Sequence, residues 1–320
     1  MSIGSDALES SRLESQTMTG QCVLITGAAR GMGRVTALAL AGMGAEKIFL
    51  IDWEGEHGTR TRDEINQRTG KNIAEFIHCD ISSLQQVRDL SKTIAAKTSH
   101  LDVLINNAGV TDPVRRVSED GYEMHLATCH LGHFLLTHEL FPLLKAAPAA
   151  RIVVISSDAH KAGPGVDFED FNNEKLWKGK AVDNFAAFQA YHRAKLCNIF
   201  FMQTLAEKLR GTSIVINAVS PGYFVNTTIY RNMTGVFRWG CELVFGVGTL
   251  FGLNTPEKGA RSHIWLASAP EAATVSGKYV EHCVEKELGK QAFDQQARQR
   301  VWELSEQLTG TQYDRLFDGT

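Results

Sequence analysis

The chain has 320 residues, 43% of them hydrophobic and 22% charged, which is enough apolar material for one large core and excludes the disordered and fibrous classes. A formal net charge of -3 gives no general electrostatic drive toward nucleic acid or an anionic membrane, so small-molecule chemistry fits better. Six scattered cysteines, Cys22, Cys79, Cys129, Cys197, Cys241 and Cys283, form no C-x-x-C pair and no metal-ligand spacing; reduced thiols in a cytoplasmic compartment are expected.

Residues 1–20 are polar and lack the apolar stretch of a signal peptide or membrane anchor, so they read as a mobile leader before a single domain over 21–320. A first strand over 21–26 runs into Thr26-Gly27-Ala28-Ala29-Arg30-Gly31-Met32-Gly33, which opens a helix over 31–42. Glycines at such a turn let the backbone pass close to a pyrophosphate, and the helix start offers unpaired N–H groups and a positive dipole end. A second strand over 47–52 ends in Asp52, 25 residues beyond Gly27, where a carboxylate can accept hydrogen bonds from an adenosine ribose. That carboxylate repels a 2′-phosphate and the next residue, Trp53, supplies no cation, so NAD is expected over NADP. Arg30 argues the other way, since an arginine beside the phosphate turn reaches a 2′-phosphate.

A third strand over 73–79 precedes Asp80 and Ile81, and Asp80 is placed to hydrogen-bond an adenine amino group. A helix over 83–97 follows, then a fourth strand over 102–106 closed by Asn107, Ala108 and Gly109, whose small side chains let a flat ring lie against the backbone. The next helix, over 121–146, carries Cys129, His130 and His133; two histidines three apart with no third ligand read as core or hydrogen-bonding residues, not as a metal site.

A fifth strand over 151–157 ends in Ser157, whose hydroxyl can donate to a substrate oxygen, while Ser156 points to the opposite face if the strand stays regular. A helix over 186–210 carries Tyr191 and Lys195, four apart and so on one face. An ammonium beside a phenol favours phenolate and lowers its pKa from about 10, which is what a proton donor to a carbonyl-derived alkoxide requires. A sixth strand over 213–219, a helix over 256–267 and a seventh strand over 278–280 complete an α/β alternation. Two segments interrupt it, 159–185 and 226–254, each beyond a strand's carboxyl end where insertions cover a ligand. The second, apolar but broken by glycines from Val236 to Leu253, reads as a lid over an apolar substrate, with a peripheral membrane contact or a dimer surface equally open.

In their order along the chain, Thr26-Gly27 with Gly31 and Gly33, Asp80, Asn106 to Gly109, Ser157, Tyr191-x-x-x-Lys195 and Pro221-Gly222 resemble the short-chain dehydrogenase/reductase family over nearly the whole length. His130-Leu-Gly-His-Phe-Leu-Leu-Thr137, the run Arg151 to His160 and Leu196-Cys-Asn198 look like its retinol dehydrogenase branch. The resemblance implies a Rossmann-type doubly wound parallel sheet of about seven strands with helices on both faces. It implies Tyr191 as acid/base, Lys195 as its electrostatic partner and ribose ligand, Ser157 as substrate anchor, apolar alcohols, aldehydes or ketones as substrates, and a homodimer or homotetramer. Together with the turns read above, it gives expected cofactor contacts at Gly27, Arg30, Gly31, Met32, Gly33, Asp52, Trp53, Asp80, Ile81, Asn107, Ala108, Gly109, Tyr191, Lys195, Pro221, Gly222, Phe224, Asn226 and Thr227.

Three departures stand out. Cys129 occupies the position of the family's asparagine, which supports a proton relay through water to the lysine, and a thiol substitutes poorly for an amide. Asn226 stands where a cofactor-binding threonine is usual, with Thr227 one residue later, and the stretch from Ser157 to Tyr191 is long. The expected activity is hydride transfer between nicotinamide and an apolar alcohol/carbonyl pair. Cys129 motivates an alternative, an NAD-binding regulator or degenerate enzyme with little turnover; a C=C reductase of the same fold is the third reading.

Overall fold

The protein was analysed as a computed structural model, which describes residues 17–222 and 255–317. Phe224, Asn226, Thr227, Cys241, the expected lid over 226–254 and the first 16 residues of the expected leader lie outside the described residues.

Among the described residues, β-branched and aliphatic runs form eight strands: β1 Cys22–Thr26, β2 Lys47–Asp52, β3 Ala74–His78, β4 Val103–Asn106, β5 Ala150–Ile155, β6 Ile214–Val219, β7 Tyr279–Glu281 and β8 Val284–Glu285. They build one sheet in the order β3-β2-β1-β4-β5-β6-β7-β8. The pairs from β3 through β7 are parallel and β8 adds antiparallel to β7. The count exceeds the expected seven by β8, whose two residues are both exposed and so carry no alternation to read. β1 and β4 are buried along their whole length, which is why they read as continuous apolar runs.

Helices cover both faces: α1 Gly31–Gly42, α2 Gly55–Thr69, α3 Leu84–Ala95, α4 Gly132–Glu139, α5 Phe141–Ala146, α6 Asn184–Lys208, α7 Pro256–Ser268 and α8 Gln295–Thr309. On one face, Ala37 and Leu40 of α1 and Ala260, Ile264 and Ala267 of α7 pack on Ile25, Ile105 and Val153. On the other, Phe134 of α4, Phe200 and Phe201 of α6 and Trp302 of α8 pack on Leu24, Leu104 and Val154. Side chains alternate between these two cores along β1 to β7, as a sheet buried on both faces requires.

Three expectations are corrected. The end of the leader belongs to the fold: Met18 is fully buried, its N–H donates to Met43 at 2.9 Å, and Thr19 bridges Ala45. The helix expected over 121–146 is not continuous. Gly121 sits at φ +83°, the carboxylate of Glu123 accepts N–H groups from His125 and Leu126, and helical backbone starts only at Met124. It then widens into a π-helical stretch, Ala127–Leu131, before α4. Finally, β5 ends at Ile155, so Ser156 and Ser157 lie beyond the strand and its alternation does not govern them.

Residues 159–185 dock against the loop after β4. The indole N–H of Trp177 donates to Pro113 O at 2.9 Å, Asp183 N donates to the same carbonyl at 2.9 Å, and Val182 bridges Val114. The carboxylate of Asp183 then caps α6 by accepting from Phe185 N and Ala186 N at 2.9 and 3.1 Å.

Candidate active site

The order β3-β2-β1-β4 reverses direction at β1, and a cavity of about 500 Å³ opens beyond the carboxyl ends of the strands around that point. Of the residues expected at the site, Gly27, Arg30, Gly31, Met32, Gly33, Asp52, Trp53, Asp80, Ile81, Asn107, Ala108, Gly109, Ser157, Tyr191, Lys195, Pro221 and Gly222 all line it. Cys129 does not; it is buried behind the wall against Tyr191 and Ala194.

The glycine turn is built for close approach. Gly27 sits at φ +66°, and a Cβ on Gly33 would lie 2.2 Å from the carbonyl oxygen of Gly27, so α1 starts directly against the turn. No side chain caps the start of α1, whose first N–H groups are left for a ligand. Asn107 holds the turn from below: its amide donates to Thr26 O at 2.7 Å and Gly27 O at 3.1 Å. The Thr26 hydroxyl accepts the N–H groups of Asn107 and Ala108 at 2.9 and 3.0 Å, and its own proton is directed to His133 Nε2 at 2.8 Å. His133 is then the Nδ1–H tautomer, donating to Cys129 O at 3.3 Å, in keeping with burial pulling its pKa down to about 3. His130 is likewise buried, with Nδ1 3.2 Å from Asn198 Oδ1 and Nε2 2.8 Å from Ser305 Oγ.

Asp52 closes β2 with both carboxylate oxygens engaged by backbone, Ala29 N at 2.9 Å and Glu54 N at 3.1 Å. Burial pushes its carboxyl above the usual carboxylate range, and those two N–H groups work against the shift. Arg30 reaches across the turn to Glu54, its Nε 2.6 Å from Oε2. Asp80 accepts Ser82 N at 2.9 Å. A turn with glycines at its points of close approach, an open helix start and a carboxylate at the end of β2 fit an adenine dinucleotide.

At the other end, Lys195 is 2% exposed and its Nζ lies 5.4 Å from the centre of the Tyr191 ring. Nζ donates to Ile155 O at 2.8 Å, and Asn198 Nδ2 donates to the same oxygen at 3.1 Å. Burial pulls the ammonium below the usual lysine range, with the neighbouring Cys129 opposing the shift. Ser156 donates its hydroxyl proton to Lys195 O at 3.0 Å, pinning β5 to α6, and also faces the cavity. Ser157 accepts Ala159 N at 3.2 Å as the cap of a short 3₁₀ turn, Asp158–Lys161. The Cys129 thiol donates to Val110 O at 3.8 Å, and burial pushes its pKa up.

Along the sequence, residues 21–166 match the short chain dehydrogenase family. Human retinol dehydrogenase 14 is 36% identical over 311 residues, covering 92% of this chain and 87% of that protein. The chain belongs to the short-chain dehydrogenase/reductase family, in its retinol-dehydrogenase-like branch. As a member it is an oxidoreductase. Human retinol dehydrogenase 13 is similar at 35% identity, with 92% of this chain and 86% of that protein covered. A crystal structure of an uncharacterized protein from Mycobacterium paratuberculosis shares the fold at a TM-score of 0.71 and 28% identity, over 94% of this chain and 98% of that one.

Several cavity residues escaped the sequence reading: Glu54, Val110, Asp112, Arg116, Met124, Thr128 and Ser156. Glu54 leaves one signal in the sequence, a second carboxylate two residues after Asp52; its approach to Arg30 is seen only in the fold. The stretch from Val110 to Thr128 had none, because its place at the mouth depends on the docking of residues 159–185.

Proposed function

We propose that this oxidoreductase interconverts an apolar alcohol and its carbonyl compound using NAD(H). The observation that carries the reading is that the phosphate turn, Asp52, Ser157, Tyr191 and Lys195 open into one cavity. Nicotinamide, when bound, supplies or accepts the hydride. Ser157 donates a hydrogen bond to the substrate oxygen and holds it toward Tyr191. Tyr191 delivers the proton to that oxygen in reduction and removes it in oxidation, and the Lys195 ammonium favours the phenolate by charge. Backbone N–H groups at Gly31 to Gly33 take the pyrophosphate, and Asp52 accepts from the adenosine ribose while repelling a 2′-phosphate. Val110 and Met124 in the cavity lining favour an apolar substrate body, in line with relatives named as retinol dehydrogenases.

The test is a kinetic screen of purified protein with NAD⁺ and NADP⁺ against aliphatic, aromatic, steroid-like and retinoid-like alcohols. NAD⁺-dependent turnover of apolar alcohols, lost in Tyr191→Phe with cofactor binding kept, is expected. Undiminished turnover in that variant rejects the assignment. A second reading, a cofactor-binding protein with little turnover, is favoured by one feature, the buried Cys129 thiol whose hydrogen bond goes to Val110. It predicts NAD binding without turnover across the panel, and activity gained by Cys129→Asn.

A further inference from the structure

We infer that Glu54 is a cofactor-selecting residue, acting by taking the Arg30 guanidinium away from a 2′-phosphate. This rests on the reading of the Asp52 end as an adenosine-ribose site. Arg30 is the cation of the phosphate turn itself, and without a partner it would favour a phosphorylated ribose. Its Nε lies 2.6 Å from Glu54 Oε2, and both residues line the cavity beside Asp52. Formal charge at this end is therefore one positive against two negative. A 2′-phosphate meets two carboxylates and an arginine already neutralised by one of them.

The pair ties the phosphate turn to the start of α2, with the Arg30 side chain 40% exposed and that of Glu54 14%. Glu54 precedes α2, yet its side chain makes no cap hydrogen bond there; what α2 takes from it is the backbone carbonyl, which accepts Gly58 N at 2.9 Å. Glu54→Gln thus removes the charge while leaving the helix start intact. Its effect falls on where the guanidinium can go.

Calorimetric binding of ADP-ribose and of its 2′-phosphorylated form to wild type, Glu54→Gln, Arg30→Met and the double variant tests this without turnover. Glu54→Gln should tighten the phosphorylated probe about tenfold, roughly 1.4 kcal/mol, while ADP-ribose changes by less than about threefold. In the Arg30→Met background the gain should shrink to about twofold, because only relief of repulsion is left, and raised salt should shrink both gains. An unchanged ratio in Glu54→Gln, or an equal gain with Arg30 removed, overturns the role of Glu54. Tighter wild-type binding of the phosphorylated probe overturns the NAD reading on its own, and the ratio between variants still decides Glu54.

Discussion

Lys195 Nζ and Ile155 O lie 2.8 Å apart at the point where β5 stops, so the cation of the site is held by the sheet as well as by its own helix. Burying an ammonium with a carbonyl as acceptor costs stability, and the lowered pKa of Lys195 expresses that cost. Lys195→Met keeps the stem and removes the charge. Turnover should fall at least about 100-fold, while the melting temperature at neutral pH stays level or rises. Steady-state kinetics and thermal melting on one preparation read both, and turnover within threefold of wild type would contradict the role given to the cation.

Gly33→Ala should abolish dinucleotide binding. The added Cβ meets Gly27 O at 2.2 Å, a backbone atom that cannot swing aside, so either the turn or α1 must shift. Overpacking of this kind costs about 1–3 kcal/mol in stability. Equilibrium binding of NADH should show loss of affinity with the folded far-ultraviolet spectrum retained; normal affinity would mean the turn is not where the pyrophosphate rests.

Acid should destabilise the protein through three buried histidines. Burial pulls His130 down to about 4 and His133 and His263 down to about 3, from an ordinary value near 6.5. The unfolded chain therefore binds protons first, and the stability due to neutral burial is complete above pH 6.5 and lost as pH falls toward 3. Each histidine adds a slope of about 1.4 kcal/mol per pH unit inside that window. Neither ring nitrogen of His263 has a hydrogen-bond partner among the described residues. His263→Leu should then flatten the melting temperature against pH between 6.5 and 4 and raise stability at pH 7 by about 1 kcal/mol; an unchanged slope would show that His263 does not titrate on unfolding.

Thr26→Val should loosen both turns of the cofactor end together. The lost hydroxyl accepts two N–H groups; that of Asn107 keeps Ile105 O at 3.0 Å, while that of Ala108 is left unsatisfied at a cost of about 1–3 kcal/mol. Thermal melting and NADH titration should both register it. A variant that melts as wild type does and still binds NADH would show that water replaces the hydroxyl.

Most of the sheet is legible in the sequence because each parallel strand is a short run of Val, Ile, Leu and Phe. Lys47–Asp52 and Gly31–Gly42 fall where the pattern places them. α2 leaves a weaker mark: its buried residues are Gly58, Thr61 and Ile65, so a single large apolar side chain marks its inner face. The π-helical stretch through Cys129 is invisible to a 3.6-residue period, since one wide turn shifts the register without changing composition. At the site, Gly27, Asp52, Tyr191 and Lys195 are singled out by their spacing together with the family resemblance, and all four line the cavity. The part of Glu54 depends on where the Arg30 side chain turns, and Ser156 lines the cavity beside Ser157 because the strand whose alternation would separate them ends at Ile155.

Arg193 stands between Tyr191 and Lys195 on α6, and its guanidinium reaches Asn173 at 2.9 Å, which in turn donates to the buried Glu123 at 3.2 Å. Residues 159–185 and the helix that carries Tyr191 are thus tied together by one chain of hydrogen bonds. A change of length or sequence in 159–185 would therefore be felt along α6, so this insertion cannot be redrawn without consequence for the placement of Tyr191.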